Sequence, residues 1–440
     1  MLQRISHFIT DNHLPAPPSR ILVALSGGAD SVALLLILKK LGYDVMAVHC
    51  NFHLRGEESN RDEHFVHQLC DQRGVQLFIH HFDTTATAQT EGISIEMAAR
   101  QLRYEWFEKM RETTNATAIA VAHHSDDNAE TLLLNLIRGT GIHGLKGMLP
   151  KNGKIIRPLL NVRREELERF LQKEGQTFVT DSTNLETMYK RNKVRHLVLP
   201  LLRQLNPNID NSLAQTARRL SEAEMLYNYA ISDLQHKVVE HLHDGIRIHL
   251  SKLKEQPVPA TILHETLQPF GFSTAEIALI AQNLDLQTGK LFEAQQYLAV
   301  LHRGFLEVRK SPVVFDNIPL TNGEHLLPNG ITLSITTMHR NELCSIPKCA
   351  DKIAIDADKT FGKMVVRSCR RGDRFQPFGM KGSKLVSDYL TDRHRSLIDK
   401  QGAFCLCDDH GIVWLAGERV AQRVAITPST HKILVIDIKY

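Results

Sequence analysis

Ser26, Gly27, Gly28, Ala29, Asp30 and Ser31 stand between an apolar run, residues 21–25, and an apolar helical pattern, residues 31–41. Two adjacent glycines let the backbone approach an anion and present successive amide hydrogens, and Ser26 and Ser31 add hydroxyl donors. A helix starting at that point aims its unpaired N–H groups and the positive end of its dipole at the same spot. The chemistry described is a phosphate cradle. Asp30 fits beside phosphate oxygens only with a divalent cation between them, so it predicts Mg²⁺ at the site. The plainer alternative, a serine- and glycine-rich turn, leaves the strand before it and the helix after it unexplained.

A second constellation, residues 123–131 (HHSDDNAET), follows the β-rich run 118–122. His123, His124, Asp126 and Asp127 have the donor types of a transition-metal site. Their placement at the carboxyl end of a strand in the same sheet as the phosphate loop argues otherwise, for the carboxylates and imidazoles that adenylation and proton removal need. The structural alternative is helix capping by Asp126, with Glu130 complementing the helix N-terminus. GTGIHG, residues 139–144, spells a dinucleotide-binding pattern, but it follows a helix ending at Arg138, which makes Gly139 that helix's C′ residue.

These residues need a parallel sheet to hold them. Strands are expected at 21–25, 45–49, 75–82 and 118–122, with helices at 31–41, 58–73, 95–111 and 127–138, each strand nearly continuously apolar. A charged helix near 164–174, a short strand at 177–180 and a basic helix from about Lys190 continue the pattern. From Asn211 to about Val239, Leu213, Ala217, Leu220, Ala223, Leu226 and Ala230 repeat at helical spacing, and more helix is expected through Phe292. Beyond Pro312 come short alternating strands. The expected fold class is therefore α/β, a doubly wound parallel sheet over residues 1–212, then a helical middle domain over 213–312 and a small α+β domain over 313–440.

The chain of 440 residues carries a net charge of only +4, distributed unevenly. Residues 186–219 hold seven Lys or Arg against Glu186 and Asp210, a balance of +5. Residues 361–400 hold ten against Asp373, Asp388, Asp392 and Asp399, a balance of +6. Two separated basic blocks suit a long polyanion touched at two places, and a solvated basic face is the plainer account. Seven scattered cysteines make no disulfide framework, and Cys405 and Cys407, as C-x-C, lack zinc-pair spacing and a second half-site. No apolar run reaches bilayer length, the longest spanning residues 32–38, and the opening residues read as a short amphipathic helix instead of a secretory signal, so a cytoplasmic location without membrane attachment is expected.

Strand, SGGADS and helix together resemble the pyrophosphate-binding loop of the N-type ATP pyrophosphatases, the PP-loop family. No Walker pattern is present. Within that family the tRNA(Ile)-lysidine synthetases are similar over nearly the whole chain, through NFHLRGEES (51–59), EMAARQLRYEWF (96–107), residues 123–148, RPLL (157–160), residues 181–202, residues 367–390 and WLAGERV (414–420). Asn128 stands where that group usually has Gln, and AFCLCDDHG precedes WLAG where a proline-led strand is usual.

The resemblance implies an ATP-dependent ligase. It would adenylate C2 of the wobble cytidine of the isoleucine tRNA with anticodon CAU, release pyrophosphate, and displace AMP with the ε-amino group of free L-lysine. The product, lysidine, changes codon reading from AUG to AUA. By analogy Ser26, Gly27, Gly28, Ala29, Asp30 and Ser31 would hold ATP and Mg²⁺, with Asp30, His123, Asp126 and Asp127 as catalytic groups. Arg100, Arg103, Arg191 and Arg195 would grip the adenylate or the tRNA, with surface ion pairs as the open alternative. Arg370, Arg371 and Arg374, with Phe375 and Phe378 interleaved, would touch the tRNA away from its anticodon. Two other readings stay open, a PP-loop thiolase or ammonia-using synthetase, and a non-catalytic nucleotide sensor. A homodimer is left open as well.

Overall fold

The computed structural model describes residues 1–54, 56–180, 190–285, 289–343, 345–347 and 349–439. The chain divides into two compact units, Met1–Asn228 and Tyr229–Tyr440.

In the first unit, β1 (Arg20–Ala24), β2 (Asp44–Asn51), β3 (Gln76–His81), β4 (Ala118–Ala120), β5 (Lys151–Asn152) and β6 (Ile155–Ile156) form one sheet in the order β3-β2-β1-β4-β6-β5. All neighbours run parallel except the β5–β6 hairpin. The chain leaves β1 toward β2 and β3, then crosses back to β4 on the other side of β1. Beyond the carboxyl ends of β1 and β4 the connecting segments therefore diverge, which opens the crevice where such sheets bind ligands.

Helices cover the sheet: α1 (Leu2–Asp11), α2 (Ala29–Lys40), α3 (Glu57–Arg73), α4 (Thr84–Glu91), α5 (Ile95–Thr113), α6 (Ser125–Ile137), α7 (Ile142–Leu145) and α8 (Arg164–Lys173). Helix α2 is buried from Ala29 through Leu38 at every position but Asp30, which explains why its sequence is apolar all round. Further on lie α9 (Lys190–Lys193), a π-helical turn (Val194–Val198), α10 (Leu199–Leu205) and α11 (Ile209–Val238).

Three expectations change. Helix α4 was not foreseen in TTATAQTE; Asp83 caps it, Oδ1 accepting from Ala86 N–H at 2.9 Å. Residues 177–180 run extended beside the phosphate loop instead of joining a sheet, and residues 181–189 of the sequence motif lie outside the described residues. The middle segment, expected to be helical, also builds a five-stranded antiparallel sheet, in the order Val239–Leu242, Gly245–His249, Phe305–Lys310, Tyr297–His302, Leu291–Glu293. The reason is local: His243-Asp244 closes a hairpin, and a Cβ at Gly245, the first residue after it, would come within 2.0 Å of Val308 O, so only glycine lets the strands approach.

Among the described residues the remainder of the second unit holds a five-stranded, a four-stranded and a two-stranded antiparallel sheet with short helices, the α+β character expected of it. Among the described residues no helix is long and apolar enough to cross a membrane.

Candidate active site

Gly27 takes φ +92°, a conformation that favours glycine, and a Cβ there would press on Val66 Cγ2 at 3.3 Å. Gly28 is the N-cap of α2, leaving the first amides of the helix open toward the crevice. The serine hydroxyls brace the turn from within. Ser31 Oγ donates to Gly28 O at 3.0 Å and accepts from Ser26 N–H at 3.2 Å. Val179 N–H donates to Gly27 O at 3.0 Å, so the extended 177–180 segment forms the far wall.

A cavity of about 230 Å³ opens over this turn, lined by Ser26, Asp30, Arg164, Val179 and Arg195 among others. A second, of about 250 Å³, adjoins it at Ser26 and Asp62 and runs along His49, Cys50, Phe52 and Arg103. Asp30 Oδ1 is buried without a hydrogen-bond partner. Burial pushes the Asp30 carboxyl above its ordinary range against the opposing pull of His124 and Arg164.

Beside it, β4 delivers His123, His124, Asp126 and Asp127. His124, not Asp126, caps α6: its Nδ1 accepts from Asp127 N–H at 3.4 Å while Asp127 Oδ2 accepts from His124 N–H at 3.1 Å. This corrects the capping expected of Asp126. Asp126 is engaged sideways instead, by Arg164 N–H at 3.0 Å and by the Arg203 guanidinium. Burial opposes ionisation of both carboxyls, but His124 and the arginines outweigh it, and both sit below the ordinary range. Burial would likewise lower His124, yet Asp126, Asp127 and Asp30 around it bring the net shift upward.

His123 behaves oppositely. Burial pushes it down to about 4, and its Nδ1 accepts from Arg157 Nε at 3.0 Å, which leaves Nε2 carrying the proton of a neutral ring. Because its folded value lies below its unfolded one, protonation favours unfolding. As pH falls from 6.5 to about 4, the parent is expected to lose stability relative to His123→Asn, as denaturant titrations across that window would measure.

Glu130 is fully buried and clamps two of the expected ligand-binding arginines. Arg191 Nε donates to Glu130 Oε2 at 2.7 Å and Arg195 Nε to Oε1 at 2.6 Å, and their second nitrogens reach Asp127 Oδ1 at 2.9 and 3.4 Å. Arg191 and Arg195 are thus tied by one face, Arg195 still lining the first cavity. Arg103 lies over the Phe52 ring at 5.2 Å in the second cavity, and Arg100 over Tyr104 at 5.2 Å. Asn128 Oδ1 accepts from Met148 N–H at 2.6 Å, bracing the turn at Gly147.

Arg370, Arg371 and Arg374 belong to the second unit. All three are exposed; Arg370 pairs with Asp316 at 3.1 Å and Arg374 donates to Ser383 O at 3.3 Å. Phe375 is core, edge-on to Tyr389 at 5.4 Å, whereas Phe378 is half-exposed. Sequence reasoning missed Arg157, Arg164, Arg203 and residues 178–180. The RPLL motif containing Arg157 was the one available signal.

A family model described as the PP-loop domain matches residues 1–202, and one described as the TilS substrate binding domain matches 241–311. The tRNA(Ile)-lysidine synthase of Bacteroides thetaiotaomicron is 46% identical over 436 residues, 99% of each chain. The chain belongs to the tRNA(Ile)-lysidine synthases. The enzyme of that name from Parabacteroides distasonis is 42% identical over 99% of each chain. A solved structure titled as the TilS C-terminal domain is 18% identical, with a TM-score of 0.26, and covers 28% of this chain and 97% of its own. The PP-loop match spans both constellations, the turn after β1 and the residues after β4. Burial pushes the two thiols of the first unit, Cys50 and Cys70, up to about 12 and about 11, so neither is a ready nucleophile for sulfur transfer.

Proposed function

We propose that the first unit activates the wobble cytidine of a CAU-anticodon isoleucine tRNA with ATP and joins free L-lysine to it, with residues 26–31 seating the phosphates. The observation that carries this reading is the cavity between Gly28, Asp30, Arg164 and Arg195, which combines open helix-end amides with two guanidinium groups. The less charged cavity along His49, Cys50 and Phe52 suits the base of the nucleotide. The C2 oxygen of cytosine is a poor leaving group, and transfer of AMP makes it a good one. Pyrophosphate leaves as that bond forms, and the lysine nitrogen then displaces AMP at C2.

Mg²⁺ fits this reading, since Asp30 Oδ1 is buried with no partner of its own. When bound, the ion would neutralise charge on the departing pyrophosphate. The Nε2–H of neutral His123 serves as a donor to developing negative charge. Asp126 or Asp127 takes the proton from the lysine ammonium. Because both are held below the ordinary carboxylate range, that transfer runs uphill. The lysine half-reaction is therefore expected to accelerate as pH rises from neutrality toward the ordinary lysine pKa, measured by single-turnover release of AMP.

For the second unit, the exposed arginines of residues 367–390 are assigned to tRNA phosphates. Arg371→Glu with Arg374→Glu is expected to weaken tRNA binding several-fold and flatten its salt dependence by roughly one unit of slope per lost phosphate contact. ATP affinity should stay unchanged. Unaltered tRNA affinity would remove this block from recognition.

The deciding assay mixes protein, ATP, Mg²⁺ and labelled lysine with transcripts that differ at the wobble base. Label is expected only in the CAU isoleucine transcript; label in every transcript, or in none, defeats the reading.

A further inference from the structure

In the second unit, strand Val365–Ser368 pairs antiparallel with Phe404–Asp408, Arg367 opposite Cys405 and Val365 opposite Cys407. Side chains alternate along a strand, so Arg367, Cys405 and Cys407 share one face, and Cys369 continues it. The Cys369 N–H donates to Ala403 O at 2.9 Å, extending the ladder by one residue. The chain then turns, Asp373 N–H donating to Arg370 O at 3.1 Å, and the Asp373 carboxylate returns to Arg367. Arg367 Nη1 donates to Asp373 Oδ2 at 2.7 Å and Nη2 to Oδ1 at 2.9 Å.

One point of the sheet therefore gathers two sulfurs and a carboxylate, with a third sulfur beside Cys405. The Sγ atoms of Cys369 and Cys405 and an oxygen of Asp373 lie within 4.8 Å of one another, and Cys407 Sγ is 3.6 Å from Cys405 Sγ. Cys405 and Cys407 are buried, while Cys369 and Asp373 are half-buried and leave a way in from solvent. This is the one group of potential metal ligands of this kind found among the described residues.

We propose that Cys369, Cys405, Cys407 and Asp373 form a structural site for a thiophilic divalent cation of the zinc type, tying two strands and the following turn together. Tetrahedral zinc with Zn–S bonds of about 2.3 Å needs sulfurs roughly 3.8 Å apart, and the Cys405–Cys407 separation is already close to that. Three sulfur donors exclude Mg²⁺ and Ca²⁺, which take oxygen shells. Asp373 Oδ2 accepts from both Arg367 and the Arg370 N–H, at 2.7 Å each, whereas Oδ1 accepts from Arg367 alone and keeps a lone pair for a metal. Arg367 has a second use. Three thiolates and a carboxylate overcompensate a doubly charged ion, and the guanidinium on the same face offsets part of the excess. The C-x-C spacing gives no hint of this site, because its other two ligands lie 36 and 32 residues upstream of Cys405.

The plainer occupant is nothing, three neutral thiols packed as small apolar groups. A Cys405–Cys407 disulfide is the other, although two residues apart on an extended strand span about 6.6–7 Å, the far edge of disulfide geometry. The experiment uses the full chain, purified with reductant and without chelator. Its zinc content is measured by plasma mass spectrometry, and metal-free protein is titrated with Co²⁺, whose sulfur-to-cobalt charge-transfer absorption reports thiolate ligation. One zinc per chain and a strong charge-transfer band are expected. Cys369→Ser, at a half-buried position, is expected to weaken zinc binding more than about tenfold, and Arg367→Met by about tenfold, the scale of losing a supporting group. Cys70→Ser, in the other unit, should change nothing. A Co²⁺ spectrum of the unmodified chain without the sulfur band, a cobalt affinity unchanged in Cys369→Ser, or a disulfide in the freshly purified protein would each overturn the site. Neither tRNA nor ATP enters the measurement, so its outcome is independent of lysine transfer.

Discussion

Asp30→Asn is expected to abolish lysine incorporation into tRNA, a loss of about 10²–10³-fold or more at saturating ATP, without lowering the melting temperature. The two halves of this expectation have one cause. The carboxylate stands in the first turn of α2 beside the phosphate loop, with one oxygen buried and unpartnered, and burial raises its pKa. A carboxyl whose folded pKa exceeds its unfolded one destabilises the fold at every pH where the unfolded chain is ionised, so at neutral pH its charge works against stability. Asparagine keeps the shape and removes the charge, so the fold gains slightly or stays level while the carboxylate proposed to bear the cation is gone. Single-turnover lysine transfer and a thermal melt on the same preparation measure both. Retained transfer would dismiss the phosphate-loop assignment; a lost transfer together with a lower melting temperature would recast Asp30 as structural.

Glu130→Ala is expected to destabilise the first unit by about 2–3 kcal/mol, below the ~3–5 kcal/mol of a fully buried pair because the two arginines are only half-buried and keep Asp127. Glu130 is fully buried and takes three hydrogen bonds from Arg191 and Arg195, at 2.7, 2.6 and 3.1 Å. Removing the carboxylate leaves two guanidinium groups beside Asp127, which alone must hold both. Arg195 lines the phosphate cavity, so its loosening is also expected to raise the KM for ATP. Replacing Glu130 and both arginines together with apolar residues of similar volume should restore much of the stability but not the ATP affinity, which separates the fold's use of the cluster from the substrate's. Denaturant titrations of the single and triple variants test this; a single-variant loss below about 1 kcal/mol would mean that solvent screens the cluster.

How much of this was legible in the residues varied with distance along the chain. The strand, the SGGADS turn and the start of α2 are contiguous, and each was read within a residue or two of its observed bounds. Helix α4 was missed because TTATAQTE has no apolar stripe and depends on a cap from Asp83. The hairpin at His243-Asp244 gave little signal, since neither of its turn residues is glycine or asparagine and the stronger helical spacing on either side obscured it. Phe375 and Phe378 are three residues apart in one basic stretch, and nothing local tells which of them faces the core.

The side-chain partners were the least legible. Arg191 and Arg195 read as ligand-gripping groups or surface ion pairs, and nothing local named Glu130, which they meet across 61 and 65 residues of chain. His124 supplants Asp126 as the α6 cap because Arg164 and Arg203, from other elements, draw the Asp126 carboxylate aside. Cys369 and Cys405 converge only because two strands pair in one register.

The sequence by itself determined the glycine turn after β1, the parallel sheet that carries it and the family resemblance, because those follow from contiguous residues: glycines that permit a tight turn, apolar runs that become strands, a helix that starts where the turn ends. Only the tertiary structure decided which charges are paired, which imidazole stays neutral, and where three thiols meet. Burial and partner identity depend on segments far apart in the chain, and a pKa or a ligand set exists only once those segments have packed against one another.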